Sequence, residues 1–274
     1  MTTLTPTEIH EEMKTRYGRI ADEFKVDVSA SCCDDKNSNI LDSDCCGVDE
    51  AQSEALFQNI YTADTKWLPA DVTELSLGCG DPITLAGLQQ GQTVLDLGSG
   101  GGIDCFMAAR QVGPTGHVIG VDMTPSMLEK ANTNKKKVEL ENVEFRLGKI
   151  EDLPVDNDSV DVILSNCVIN LAPDKTAVFQ EAYRVLKPGG KLAVSDMVTQ
   201  GNYSDEERAD MAAWSGCITG AEDIVEYIAG IQSAGFDDIS VRDKANPEVE
   251  LNQLHGNDGQ AKLFSARVTA VKPL

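Results

Sequence analysis

The sequence lacks two features that would tie the protein to a membrane. None of its apolar runs approaches the roughly 18 to 20 residues that a membrane span requires. Its first residues, MTTLTPTEIHEEMK, are polar and do not resemble a signal peptide. We therefore expect a cytoplasmic protein.

Basic residues are also scarce, with 23 Lys and Arg against 45 Asp and Glu and a formal net charge of -22. Nucleic acids and anionic membranes are bound through basic surfaces, so neither is expected as the main partner. The charge indicates a strongly hydrated exterior and says little about catalysis. No exposed apolar stripe calls for a second chain, and we expect a monomer.

The chain does contain a regular alternation of apolar runs and helical patterns. The predicted strands are 93–98, 117–122, 143–148, 160–166 and 191–197, and the predicted helices between them are 103–112, 124–137 and 174–186. Alternation of this kind predicts an α/β fold with a mostly parallel, doubly wound, Rossmann-like sheet.

The two ends of the chain add further elements to this core. An amphipathic helix is predicted after Pro6, then a Cys-rich loop over 25–50 and a short helix near 51–60. An acidic helix at 204–214, a helix at 222–234 and a closing antiparallel hairpin follow the core. We therefore divide the chain into an N-terminal helical and Cys-loop region (1–80), a core (81–200) and a C-terminal region (201–274).

A glycine-rich turn follows the first predicted strand, in LDLGSGGGIDC. Asp96, Gly98, Gly100 and Gly102 form D-x-G-x-G-x-G, which differs from the G-x-G-x-x-G of dinucleotide sites. An acidic residue before the loop disfavours a pyrophosphate and suits an ammonium and a sulfonium. The segment resembles the S-adenosylmethionine site of class I methyltransferases.

This resemblance covers 93–197 and implies a set of cofactor contacts. Asp122 is expected to accept hydrogen bonds from the ribose hydroxyls, with Met123 beside it. In GKIEDLP, Ile150 is expected to pack against the adenine and Glu151 to make a polar contact; alternatively, Glu151 is a solvated loop carboxylate. EAYRVLKPGGKL is a further hallmark of these enzymes.

Asn166 and Cys167 end the fourth predicted strand, where ligands of open parallel sheets bind. Both are expected beside the methyl group that is transferred. Oxygen and nitrogen acceptors usually need a base there, yet none of the three histidines, His10, His117 and His255, is expected at this site. The acceptor is therefore expected to have no proton to lose.

Eight cysteines in a chain of this kind indicate soft-metal or redox chemistry. Cys79, Cys167 and Cys217 are far apart and lack the short spacing of zinc knuckles. Glycines beside Cys79 and Cys217 are expected to leave room for a bulky ligand on sulfur. A zinc site built from the adjacent pairs Cys32–Cys33 and Cys45–Cys46 remains an alternative, and Cys105 is expected to be a packing residue.

Trivalent arsenic fits this set, because it takes three thiolates and keeps a lone pair that can accept a methyl group. LGCGDP, SNCVINLAPDK and WSGCITGA, with the cofactor motifs, resemble the arsenite methyltransferases over nearly residues 10–240. The resemblance implies that Cys167 and Cys217 bind arsenic and that Cys79 joins them. No metal cofactor is expected.

The same resemblance implies a disulfide between Cys79 and an N-terminal cysteine, with Cys45 or Cys46 favoured. Thioredoxin or glutathione would restore the thiols. Two other interpretations are kept: methylation of a small organic acceptor such as a quinone or sterol-like ring, and a metalloid-binding sensor that does not turn over.

Overall fold

The computed structural model describes residues 5–23, 61, 65–73, 78–251 and 261–274. The predicted Cys-rich loop, with Cys32, Cys33, Cys45 and Cys46, and the predicted helix near 51–60 lie outside the described residues.

Five parallel strands form the larger part of one sheet. They are β1 (Thr93–Leu97), β2 (His117–Asp122), β3 (Val143–Leu147), β4 (Val160–Asn166) and β5 (Leu186–Gln200), in the order β3-β2-β1-β4-β5, with β3 at the edge of the sheet. β1 to β4 match the predicted bounds to within a residue, whereas β5 extends beyond the predicted strand at both ends. Val, Ile and Leu occupy most of the buried positions of β1, β2 and β4, as expected for strands buried on both faces.

Three further strands complete the sheet beyond β5. β6 (Glu222–Asp223) pairs with β5 in parallel, while β7 (Asp237–Asp243) and β8 (Lys262–Val271) form an antiparallel hairpin. β8 lies antiparallel to β5 along its whole length. The predicted fold class, a Rossmann-like sheet with a C-terminal antiparallel hairpin, is confirmed.

Helices cover both faces of the sheet. Within the described residues they are α1 (Pro6–Glu23), α2 (Ala70–Thr73), α3 (Pro82–Ala86), α4 (Ile103–Val112), α5 (Pro125–Val138), α6 (Lys175–Val185), α7 (Asp205–Arg208), α8 (Met211–Ser215) and α9 (Ile224–Ser233). α5 begins with Thr124 at its N-cap position and Pro125 in its first turn, one residue after the predicted start. None of the helices in this part of the chain has both the length and the apolar character to cross a bilayer.

The single acidic helix predicted over 204–214 is wrong, because α7 and α8 are separate. The side chain of Asp210 accepts hydrogen bonds from the backbone N–H groups of Ala212 and Ala213, at 3.0 and 3.1 Å. Asp210 therefore caps a new helix rather than continuing the first one. This break sets the position of the turn that carries Cys217.

β4 is buried on both of its faces. Ile163 packs into a cluster with α6 and α9, and Leu164 packs on the opposite face with residues of α4. Both side chains are fully buried. This strand thus joins the two halves of the core, and its last residue lies at the rim of the sheet.

We expect Ile163→Ala to lower the free energy of unfolding by about 2–5 kcal/mol, because it removes a buried side chain and leaves a cavity. Val225→Ala is the control, since Val225 is 46% exposed and its loss is expected to change stability by less than about 0.5 kcal/mol. Urea unfolding followed by circular dichroism measures both. Equal effects of the two variants would contradict the assigned core.

Candidate active site

A cleft opens at the carboxyl ends of the parallel strands, between β1 and β4, where the strand order reverses. This is the position at which open α/β sheets bind ligands. Of the residues predicted to contact a cofactor, those that line this cleft are Gly98, Gly100, Asp122, Met123, Ile150, Glu151 and Asn166; Cys167 lines it as well. Asp96 and Gly102 are not among the lining residues.

The glycine loop folds tightly between β1 and α4. Gly98 has φ of +66°, and a Cβ there would lie 2.4 Å from a methyl carbon of Val168. Only glycine allows both this backbone conformation and this close approach. The backbone of the loop is therefore exposed to the cleft without side chains in the way.

Asp122 is held in place by backbone donors. Its Oδ2 accepts from the N–H of Gly100 at 2.9 Å, and its Oδ1 accepts from the N–H of Thr124 at 2.8 Å. Burial raises the pKa of Asp122, and these two hydrogen bonds oppose that rise. The carboxylate thus faces the cleft in a fixed orientation with lone pairs left for a ligand.

Asp96 lies beneath the loop rather than in the cleft. It is 2% exposed, and its Oδ2 accepts a hydrogen bond from the thiol of Cys105 at 3.2 Å. Burial, together with the nearby Asp104 carboxyl, raises its pKa well above the ordinary value. Asp104, in the first turn of α4, lines the cleft instead, and burial raises its pKa to about 6. The sequence motif alone does not indicate that the side chain of Asp96 points into the core rather than into the cleft.

His10 lines the cleft, contrary to the expectation that no histidine reaches the site. Its Nε2 lies 2.9 Å from Oε1 of Glu151, and its Nδ1 lies 3.2 Å from Nζ of Lys149. The ammonium of Lys149 can only donate, so Nδ1 accepts and Nε2–H donates to Glu151. Glu151 is therefore a fixed side chain, 13% exposed, and not a solvated loop carboxylate.

The sequence did carry a signal for this contact. His10, Met13 and Tyr17 are three and four residues apart, so they lie on one face of α1, and all three line the cleft. That face packs across the cofactor end of the sheet because α1 contacts α5 and α8. The pattern shows that one face of this helix packs against the protein. Tertiary packing decides which edge of the sheet that face covers, so the pattern alone could not place His10 in the cleft.

Cys79, Cys167 and Cys217 come together at the end of β4. Cys79 and Cys167 form a disulfide with 5.8 Å between their Cα atoms, and Sγ of Cys217 lies 3.7 Å from the carbonyl oxygen of Cys167. Cys167 and Cys217 have φ of +57° and +63°. Non-glycine residues rarely adopt this left-handed conformation, and it is concentrated at functional sites.

The observed disulfide partner of Cys79 differs from the expected one. Cys79 is bonded to Cys167, whereas an N-terminal cysteine was expected; Cys45 and Cys46 lie outside the described residues. α3, which follows Cys79 closely, packs against β4 and β5, and this brings Cys79 to the end of β4. In this oxidised form, no group of three or more metal-ligating side chains occurs in the described ranges.

Cys217 is a free thiol in a largely apolar setting. It packs with Tyr17 and Trp214, and burial raises its pKa to about 12, with the carboxyl of Asp196 contributing. Hydrogen bonds with Asn170 and Tyr17 lower it. The thiol is therefore protonated at neutral pH.

Asp196 is a second buried acid that the sequence interpretation missed. It is fully buried in β5 and accepts hydrogen bonds from the backbone N–H groups of Asn170 and Met197, each at 2.9 Å. Burial raises its pKa to about 6. The letters SDM within a buried strand were the available signal, since a buried Asp needs such partners.

Comparisons with known proteins agree with this geometry. Residues 88–252 match the model of the family described as Methyltransferase domain. The chain is 43% identical over 270 residues to an arsenite methyltransferase of Halobacterium salinarum, which covers 98% of this chain and 68% of that protein. An arsenite methyltransferase of Aquipseudomonas alcaligenes is 34% identical, covering 94% of this chain and 70% of its own length.

A solved structure is also similar to this chain. The crystal structure of an arsenic(III) S-adenosylmethionine methyltransferase from Chlamydomonas reinhardtii superposes with a TM-score of 0.64 at 33% identity, covering 81% of this chain and 73% of that one. With a methyltransferase domain over more than half of its length and relatives of this similarity, the chain belongs to the arsenite methyltransferase family.

Proposed function

We propose that this chain transfers methyl groups from S-adenosylmethionine to trivalent arsenic held by the thiolates of Cys79, Cys167 and Cys217. The observation that carries the proposal is the convergence of three cysteines, far apart in sequence, at the rim of a methyltransferase cleft. Soft thiolates select soft centres such as trivalent arsenic. A quinone or sterol-like acceptor would leave these three side chains without a role.

The residues of the cleft fit S-adenosylmethionine. The open glycine backbone around Gly98 and Gly100 admits the methionine part, and Asp122 offers carboxylate lone pairs to the ribose hydroxyls. Ile150 and the oriented carboxylate of Glu151 suit the face and the amine of an adenine. When bound, the cofactor supplies an electrophilic methyl group on a sulfonium, and the arsenic lone pair takes it without a general base.

Arsenic binding requires no base either. Each cysteine thiol that replaces a hydroxide of arsenous acid gives its proton to that hydroxide, and water leaves. The protonated state of Cys217 therefore suits this exchange. Cys79 and Cys167 take part only after their disulfide is reduced to two thiols.

Cys79 and Cys167, once reduced to thiols, can supply the two electrons that repeated methylation needs. Accepting a methyl group converts arsenic from the trivalent to the pentavalent state, and two thiols that join as one disulfide return two electrons to it. Cys79 and Cys167 are already in bonding distance for this step. Thioredoxin or glutathione would then reduce the disulfide, becoming oxidised in turn.

We expect Cys167→Ser and Cys217→Ser each to lower the rate of arsenite methylation by at least about 100-fold, because a hydroxyl is a poor ligand for a soft centre. Binding of S-adenosylmethionine should persist in both variants. Methylated arsenicals and S-adenosylhomocysteine, quantified by mass spectrometry, give the rate, and calorimetry gives the affinity.

Cys105→Ala is the matched control, because this buried cysteine touches Asp96 and none of the arsenic ligands. It is expected to retain activity to within about threefold while losing some stability. Wild-type activity in either serine variant would refute the proposed arsenic site. Arsenite binding without any methyl transfer by the wild type would instead favour a sensor.

We expect Asp122→Asn to weaken S-adenosylmethionine binding by about 10- to 100-fold. This is the effect expected when one hydrogen bond to a charged acceptor is lost. The amide keeps one acceptor oxygen but loses the charge, and it can no longer accept at both positions. Asp156→Asn, an exposed substitution in the loop before β4, is the control. Isothermal titration calorimetry measures both, and unchanged affinity in Asp122→Asn would contradict the ribose contact.

Alkylation of Cys217 by iodoacetamide should be slow near pH 8 and should still be rising well above the ordinary cysteine pKa of about 8.5, where the rate of a solvated thiol levels off. A raised pKa leaves little thiolate at lower pH, and thiolate is the form that reacts. Peptide mapping by mass spectrometry follows the modification at each pH. A profile like that of glutathione, which serves as the solvated reference thiol, would contradict the buried setting of Cys217.

A further inference from the structure

The side chain of Asn166 binds the backbone of the segment that carries Cys79. Its Oδ1 accepts from the N–H of Cys79 at 3.0 Å and from the N–H of Gly80 at 3.1 Å, and its Nδ2 donates to the carbonyl of Gly80 at 2.8 Å. Nδ2 also lies 3.1 Å from Oδ2 of Asp104 and 3.2 Å from the hydroxyl of Tyr61. Both the oxygen and the nitrogen of the Asn166 amide therefore form hydrogen bonds, and three of these bonds go to the backbone of Cys79 and Gly80.

The glycines beside Cys79 make this approach possible. A Cβ at Gly78 would lie 2.3 Å from Nδ2 of Asn166, and a Cβ at Gly80 would lie 2.5 Å from Oγ of Ser195. The space that these glycines leave is therefore filled by protein. This corrects the expectation that they make room for a ligand on sulfur.

The C-terminal hairpin also binds the backbone of Cys79. The ammonium of Lys244, which follows β7, donates to the carbonyl oxygen of Cys79. The N–H and the C=O of Cys79 are therefore both bound by side chains, one at the end of β4 and one on the C-terminal hairpin. None of these bonds to the Cys79 backbone uses its sulfur atom.

We propose that Asn166 is a positioning residue that holds Cys79 against Cys167, so that the two sulfurs stay within bonding distance when their disulfide is open. Asn166 immediately precedes Cys167, and one short segment therefore supplies both the amide that binds the Cys79 backbone and the sulfur that meets its side chain. This role deepens the proposed function, on which its relevance to arsenic rests.

The physical consequence is a high effective concentration of one thiol at the other. Two groups fixed near each other react as if each were highly concentrated, because little further entropy is lost on bonding. Reduction by glutathione breaks the Cys79–Cys167 bond, gives each sulfur a proton and forms one oxidised glutathione from two molecules. A fixed Cys79 backbone shifts this equilibrium toward the protein disulfide.

The test is the equilibrium constant of that exchange in the full-length chain, measured in glutathione buffers of graded ratio. Peptide mapping quantifies the Cys79–Cys167 disulfide after acid quenching. We expect Asn166→Ala to lower the constant by about 10-fold or more, since it removes several hydrogen bonds to the Cys79–Gly80 backbone. Asn166→Asp keeps the two acceptor contacts but sets an oxygen against the Gly80 carbonyl and Oδ2 of Asp104, so its constant should also fall below that of the wild type.

Asn142→Ala is the matched control. The amide of Asn142 also donates to two backbone carbonyls, those of Ala109 and Gly113, neither of which belongs to the Cys79–Gly80 segment or to β4. Its exchange constant should stay within about twofold of the wild type. A general loss of stability would affect both alanine variants, whereas a positioning role affects only Asn166.

A wild-type constant in folded Asn166→Ala would overturn the inference. If that variant does not fold, Lys244→Met, which loses one bond to Cys79, should lower the constant by about threefold, and no change there would overturn it equally. The measurement uses neither arsenic nor S-adenosylmethionine. Absence of arsenite methylation in the wild type would therefore refute the proposed function and leave the role of Asn166 in the disulfide standing.

Discussion

The pairing of β4 between β1 and β5 is the constraint on which the site depends. β4 is parallel to both neighbours, and its buried residues pack into helices on both faces. Its end is consequently fixed relative to the glycine loop after β1 and to Ser195 in β5. Asn166 and Cys167 occupy that end, and so the cofactor cleft and the thiols share one rigid support.

Around this support the protein buries several carboxyl groups with few cations. Asp96, Asp104 and Asp196 are each at most 6% exposed, and burial raises the pKa of all three. Their hydrogen-bond donors are side-chain amides, backbone N–H groups, the thiol of Cys105 and a tyrosine hydroxyl. Burial is the main cause of the raised pKa of Cys217, and the nearby carboxyl of Asp196 adds to it.

The sequence predicted those helices and strands whose apolar residues follow a regular spacing. β2, β4 and α4 have the predicted bounds, because apolar runs of strand length and glycine stops leave few alternatives. Predictions that required knowing how elements meet were less accurate. His10 was excluded from the site although α1 carries it into the cleft, and Asp96 was expected to face a cofactor although it lies under the loop.

The sequence by itself determined the fold class, the position of the glycine loop and the presence of cysteines suited to a soft ligand, because these follow from local spacing and residue chemistry. Tertiary structure alone decided that Cys79 bonds to Cys167, that Asn166 binds the Cys79 backbone and that His10 orients Glu151. Each of these contacts joins residues far apart in the chain. Their distance is set by the packing of sheet and helices, which no local pattern encodes.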